Sequence, residues 1–353
     1  MSTQRINGAK LLVLLSIFLF ACSTEGEDPV PDPIIEPEPP VKTPLSIPDP
    51  NFEARLGHWG IDKDGEINGQ IWLEDALEVT SLDVFTSNQE YKISDLTGIE
   101  GFVNLEQLIA SHNSLESVDL SKNTALKKLE LSFNELKSID LSNNTELTLL
   151  LIGRNELESI DLSNNHKLET VKIEANALQT LDLSNNHELV DLSATANALT
   201  SITGINQTQM KELRLGFNDL ETLNLDLPNL EGINIENNEL KTLKIDGCDK
   251  LEYLLATSNH LTTLNTETNT QLKHLKVSYN DITTLNLERN TQLEILWASG
   301  NALSELNLSQ LSLLYDLRVI RNTDLSCIRI NETQNIATTR LQDHQYLSTT
   351  ACN

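Results

Sequence analysis

The chain has 353 residues and a formal charge of -27, from 52 Asp and Glu against 25 Lys and Arg. So acidic a surface repels phosphate backbones and anionic headgroups, which argues against nucleic acid and against electrostatic membrane binding. Hydrophobic residues make up 39% but aromatic ones only 4%, so a core must be built from Leu, Ile and Val, in thin stacked layers rather than one thick globule.

At the N-terminus, Arg5 and Lys10 precede an apolar run from Leu11 to Ala21, about half the length a bilayer-spanning helix requires. This is the layout of a secretory signal peptide, not of an anchor helix. The run ends Leu19-Phe20-Ala21-Cys22, which resembles a bacterial lipoprotein box. The resemblance implies removal of residues 1–21 and a lipid on Cys22. Between Ser23 and Pro50 lie nine of the ten prolines, a composition that favours an extended tether over a packed core. The acidic residues behind Cys22, Glu25, Glu27 and Asp28, resemble the export signal of Bacteroidetes-type surface lipoproteins; a solvated acidic linker has the same composition. Either reading puts the body outside the cytoplasm, at the outer membrane or cell surface, exposed outward or facing the periplasm, with the lipid as its one membrane contact.

Residues 51–78 read as a helical N-terminal cap of two short helices around a turn, with Phe52, Leu56, Trp59, Ile61, Ile67, Ile71, Trp72 and Leu77 as expected buried positions. Within it, Asp62-Lys63-Asp64-Gly65-Glu66-Ile67 has the D-x-D-G-x-I centre of a calcium loop. In that register Gly60 and Ile71 fall on the first and last ligand positions, and neither supplies a carboxylate, so a glycine-containing turn is the expected reading.

From residue 105 the chain repeats. Asn113, Asn134, Asn155, Asn176, Asn197, Asn218, Asn238, Asn259, Asn280, Asn301 and Asn322 recur at steps of 21, with a single 20 between Asn218 and Asn238. Each sits in L-x-x-L-x-L-x-x-N-x-L, as in Leu126, Leu129, Leu131, Asn134 and Leu136, the signature of a leucine-rich repeat. On a strand Leu129 and Leu131 point inward and Glu130 outward, and stacking such strands about 4.8 Å apart makes a parallel sheet. Each Asn stands where the chain leaves the strand, where its amide satisfies turn backbone and stacked Asn side chains can bond one another. The returning half, as in Ile139-Asp140-Leu141-Ser142-Asn143-Asn144, alternates with period two and is too short for a helix. The expected fold is therefore mainly β: a solenoid over residues 79–326 with a parallel sheet and extended returning segments. These units resemble the 21-residue repeats of internalin J and related bacterial surface proteins, and the N-terminal segment resembles the internalin cap. The family often carries a Cys ladder inside the strands, where this chain has Ala110, Leu131, Ile152 and their equivalents.

A C-terminal cap, residues 327–353, is bracketed by Cys327 and Cys352, which in an oxidising compartment are expected to form a disulfide. Cys248 replaces an Asn of earlier units and is expected to be a free thiol in a loop. Asp119, Asp140, Asp161 and Asp182 form a column on the returning side, read as solvated carboxylates rather than a cation site. His166 and His187 also align, but no third ligand accompanies them.

No nucleophile, base or metal set converges anywhere, so no catalytic residue, metal or cofactor is assigned and no enzyme activity is expected. Binding is the alternative. The outward position four before each Asn gives a stripe with Lys172, Arg214, Lys276 and Arg318 against Glu130 alone. In its C-terminal half Tyr253, Leu255, His274, Lys276, Ile295, Trp297 and Arg318 should form one patch on the concave sheet face, about 15 Å across, with Trp297 at its centre. Exposed aromatics on a rigid sheet are a contact surface in this reading. The first expectation is a protein ligand, by the internalin resemblance. A surface glycan stacked on Trp297 and Tyr253 is the second, and a structural envelope role the third.

Overall fold

The structure is a computed structural model that describes residues 42–352; the signal peptide, Cys22 and most of the tether lie outside the described residues. Thirteen three-residue strands, from Ser81–Asp83 to Thr338–Arg340, form one continuous parallel sheet. Every strand but the last places one Leu, Ile or Val inward between two outward positions, as Leu129 between Lys128 and Glu130. Neighbouring strands pair in register, so Leu108, Leu129, Leu150 and Val171 stack directly upon one another. Removing such a column from water is what holds one turn on the next. The expected leucine-rich repeat solenoid is the fold observed.

The returning side is extended, as the period-two pattern requires. Its strands are short and fall into separate small sheets, Thr180–Asp182 with Ser201–Thr203 and Thr222–Asn224 with Thr242–Lys244. Between them the chain turns through tight bends rather than helices.

Asn134 shows what each Asn of the 21-residue ladder does. Its Nδ2 donates to the carbonyls of Ala110 and Leu131 at 3.0 and 2.9 Å, and its Oδ1 accepts from Leu115 N–H at 3.1 Å. The expected bonds from one Asn side chain to the next do not form, because backbone groups of the adjacent turn already saturate the amide. A second column on the returning side, Asn123, Asn144, Asn165 and Asn186, makes only the donating half of this pattern: Asn144 Nδ2 donates to the Leu120 and Asn123 carbonyls, while its buried Oδ1 accepts no bond. Cys248 occupies this column and is fully buried, so it belongs to the core and not to a solvated loop.

The N-terminal cap is less helical than expected. One helix spans Pro50–His58; the second, Leu73–Ala76, is a single turn. Between them Gln70–Trp72 forms a strand antiparallel to Pro44–Ser46. Ile47 is fully buried, so the folded body takes in residues that the proline-rich composition assigns to the tether. Asp49 caps the helix through Asn51 and Phe52 N–H, and its other oxygen accepts from Ser94 and Asp95 N–H. Gly98, at φ +102°, has no room for a Cβ against Ile47 and Ser46, which is how closely the cap seats on the first turns. Phe52, Leu56 and Ile71 are buried as expected, whereas Trp59, Ile67 and Leu77 are exposed. Trp59 is kept at the surface by its indole N–H, which donates to the Asp83 carbonyl at 2.6 Å. Asp62 to Gly65 form a turn in which Asp64 Oδ1 accepts from Glu66 N–H at 2.9 Å.

Cys327 and Cys352 are joined, with Cα atoms 5.7 Å apart. The tail between them is not a simple flap. It completes another turn, with Thr338–Arg340 as the last strand of the long sheet and Tyr346–Ser348 pairing with Cys327–Arg329 on the returning side. Gln345 does there what Asn does elsewhere, donating to the Val319 carbonyl at 3.1 Å.

Candidate functional site

The outward side chains of the long sheet lie in two rows, one from the first and one from the third residue of each strand. In register, the C-terminal part of the first row is Gly232, Tyr253, His274, Ile295 and Asp316, and of the second Asn234, Leu255, Lys276, Trp297 and Arg318. All seven residues assigned to the patch from the sequence are therefore brought together on one face. Only Tyr253 is more than a third exposed; the other six are half-buried by one another.

Trp297 organises the cluster. Lys276 Nζ lies 4.0 Å from its ring centroid and Arg318 Cζ 3.9 Å, so both faces of the indole carry a cation. Its N–H donates to Asp316 Oδ2 at 3.0 Å, and the same carboxylate takes the Arg318 fork through Nε and Nη2 at 3.2 and 3.0 Å. The sequence places Trp297 correctly but not Asp316, which is 7% exposed. The signal was its position two residues before Arg318, on the same face of the strand. One expectation changes with this geometry: Trp297 has no free face on which a sugar ring could stack.

Farther along, Arg214 binds Asp191 and Glu212 at 2.9 and 3.0 Å, and Lys172 binds the other Asp191 oxygen. Of the four stripe cations three are thus neutralised by carboxylates of the first row, and among the described residues Lys276 makes no ion pair. Burial lowers the pKa of His274, with the cations Lys276 and Lys273 acting in the same direction against Glu294. Tyr253 packs edge-on against His274, with ring centroids 4.9 Å apart. Between this cluster and Glu212–Arg214 lies a recess of about 280 Å³ over Gly232 and Ile233. Sequence periodicity does not find Gly232, because it keeps the repeat pattern and differs only in lacking a side chain.

A second group of aromatics lies on the turn that follows the strands. Residues just before each ladder Asn have positive φ, among them His112, Phe133, Phe217 and Tyr279. His112 stacks on Phe133 at 4.0 Å, Phe85 packs edge-on against His112, and Arg154 lies 5.0 Å from the Phe133 ring.

The remaining candidates are structural. In the Asp column, Asp182 Oδ1 accepts from Ser184 N–H and Oγ–H, and these bonds hold its pKa below the ordinary value. His166 Nδ1 contacts the Asn185 carbonyl at 3.2 Å. Among the described residues no group of three or more His, Cys, Asp or Glu is placed to hold a metal, and no helix is long and apolar enough to cross a membrane.

No protein-family model matches the chain, and no curated protein is similar to it in sequence. In structure it is similar to the functional domain of InlJ from Listeria monocytogenes, with a TM-score of 0.75 and 26% identity over 87% of this chain and 72% of that one. An internalin, InlF, from the same species gives 0.60 and 21%, covering 89% and 99%. YopM from Yersinia enterocolitica gives 0.57 and 25%, covering 77% and 64%. Its structural neighbours are thus internalin-type leucine-rich repeat proteins. The InlJ domain is described as including a cysteine ladder; here the inward strand-end positions are Ala110, Leu131, Ile152 and Ile173, all fully buried.

Proposed function

We propose that this chain is a lipid-anchored recognition module of the cell surface that binds a protein partner through the outward face of its long sheet. The observation that carries the reading is the Tyr253–Arg318 cluster: a contiguous set of aromatic, aliphatic and basic side chains, held in place by a rigid sheet in a chain of charge -27. Aromatic and Arg side chains at the centre of a patch are the usual energetic anchors of protein interfaces. The similarity to internalin-type solenoids supports the same reading at the level of architecture. A glycan ligand has less support, since Lys276 and Arg318 cover both faces of Trp297.

A photo-crosslinking residue at Tyr253, compared with one at Asp140 on the returning side, tests the face on intact cells. Protein adducts from position 253 alone are the expected result. Adducts from position 140 alone, or none from either, would defeat the reading. Trp297→Ala with Lys276→Ala should abolish those adducts while lowering the Tm by only a few degrees, because neither side chain belongs to the Leu core. The anchor is tested separately: Cys22→Ala should move the protein from the membrane to the soluble fraction, and unchanged detergent partitioning would refute the lipid.

A further inference from the structure

The first row of outward side chains has one gap. Asp191, Glu212, Tyr253, His274, Ile295 and Asp316 each present a side chain there, and Gly232 presents none. The recess of about 280 Å³ lies over that gap, lined also by Glu212, Arg214, Tyr253, Leu255 and Lys276. It sits just below the roughly 300 Å³ at which pockets for small molecules begin, a volume that one side chain fills. A Cβ at Gly232 would lie 2.7 Å from Glu212 Oε2, so the Glu212 carboxylate edges the recess beside Gly232.

Its charge is equally specific. On one wall Arg214 is balanced by Asp191 and Glu212, and Asp191 also takes Lys172, which leaves that set neutral. Beyond the other wall Arg318 is neutralised by Asp316. Lys276, which lines the recess, is held over the Trp297 ring and makes no ion pair among the described residues. The ring fixes the ammonium without cancelling its charge. An uncompensated cation beside a half-buried hollow, with Tyr253 and Leu255 as its apolar wall, is complementary to a carboxylate on a short aliphatic stem.

We infer that the Gly232 recess is the anchoring subsite for one acidic side chain, Glu or Asp, of the protein partner, with Lys276 as its counter-ion. This rests on the sheet face being the protein-binding surface, and it adds the chemistry that surface selects. Tyr253 and Leu255 contact the methylene stem, and the Arg214–Glu212 pair closes the far side. A partner with Gln at that place loses the charge-assisted bond.

The probe is a capped glutamate, N-acetyl-glutamate N-methylamide, titrated to millimolar concentration against methyl-labelled protein. The expected result is shifts at the Ile233 and Leu255 methyls, with much weaker ones for the capped glutamine. Lys276→Gln and Gly232→Val should each raise the dissociation constant by about ten-fold or more, and Lys128→Gln, far along the same face, should leave it unchanged. Gly232→Ala is the folding control, since the only obstacle to its Cβ is the movable end of Glu212; it should keep the wild-type Tm and weaken binding. Equal shifts from the glutamine probe would show that charge is not what the recess reads. Tighter binding of glucuronate than of capped glutamate would make it a saccharide subsite instead. No shift from any probe would remove the subsite, and crosslinking from Tyr253 would then still decide the face on its own.

Discussion

A single Asn side chain in this molecule closes three backbone groups at once, and its neighbours in the column repeat the arrangement turn after turn. Asn134 is 8% exposed, so removing its amide leaves Leu115 N–H without a partner away from water, while the Ala110 and Leu131 carbonyls keep Asn113 and Asn155 as donors. Such a group costs about 1–3 kcal/mol. Asn134→Leu should therefore lower the unfolding free energy by about 2 kcal/mol, read as a shift of the urea midpoint; a change within error would mean that solvent reaches the turn. The returning-side column tolerates exceptions. Leu227 and Cys248 stand in it side by side, and both are fully buried. Burial pushes the Cys248 thiol up to about 11, with the acidic neighbours Asp226, Asp249 and Asp246 adding to the effect. A thiol with a raised folded pKa stays protonated where the unfolded one ionises. Its share of stability is thus intact below the ordinary value of 9.0 and falls as pH rises from there towards 11. At pH 8 Cys248 should resist iodoacetamide in the native protein and react on unfolding in urea; native labelling at the unfolded rate would contradict its burial.

At the scale of the element, what recurs is a three-residue strand followed by a left-handed turn residue. Ten non-glycine residues, from His112 to Arg321, have φ between 54° and 62° at that turn, and Gly300 completes the set at 65°. An L-residue pays roughly 1–2 kcal/mol for this conformation, and the paired strands on either side impose it. Because the cost is greatest for β-branched side chains, Ala196→Val should destabilise by about 2 kcal/mol although its side chain meets solvent. Ala196→Gly should change stability by less than about 1 kcal/mol, since relief of the turn is offset by a more flexible unfolded chain. Denaturant titration of the two variants gives the comparison, and equal stability would mean that the turn relaxes. Phe133, Phe217 and Tyr279 meet the same backbone requirement with aromatic rings 42%, 57% and 48% exposed. The sequence shows that these residues avoid the core, but the left-handed turn that presents them is visible only in the backbone.

Residues 42–352 form a one-dimensional stack, and most of it is legible because its repeat is. Leu at fixed spacing gave the sheet, its register and therefore the side chains that share a face, which is why Tyr253, Lys276, Trp297 and Arg318 could be grouped in advance. What lay outside the repeat was harder. Size and apolarity point Trp59 to the core, while in the structure its N–H holds it at the surface. The surrounding prolines point Pro44–Ser46 to the tether, yet it pairs with Gln70–Trp72. The last turn was hidden because Thr338–Arg340 has no Leu and Gln345 substitutes for Asn. Partner choice within the face was not legible either: that Asp316 and Glu212 neutralise Arg318 and Arg214 follows from distances, not from spacing. In a stack each turn is stabilised chiefly by its neighbours, so damage at an end stays near that end. Cys327 and Cys352 close a loop of 25 residues around the exposed last turn, a constraint worth about 3 kcal/mol in the chain-entropy account. Cys327→Ser with Cys352→Ser should therefore release the tail before the rest. Amide exchange is expected to speed up at Thr338–Arg340 and Tyr346–Ser348, while strands such as Lys128–Glu130 and Thr170–Lys172 keep wild-type protection. If protection falls evenly along the whole sheet instead, the solenoid unfolds as one cooperative body, and the disulfide holds more than the turn it encloses.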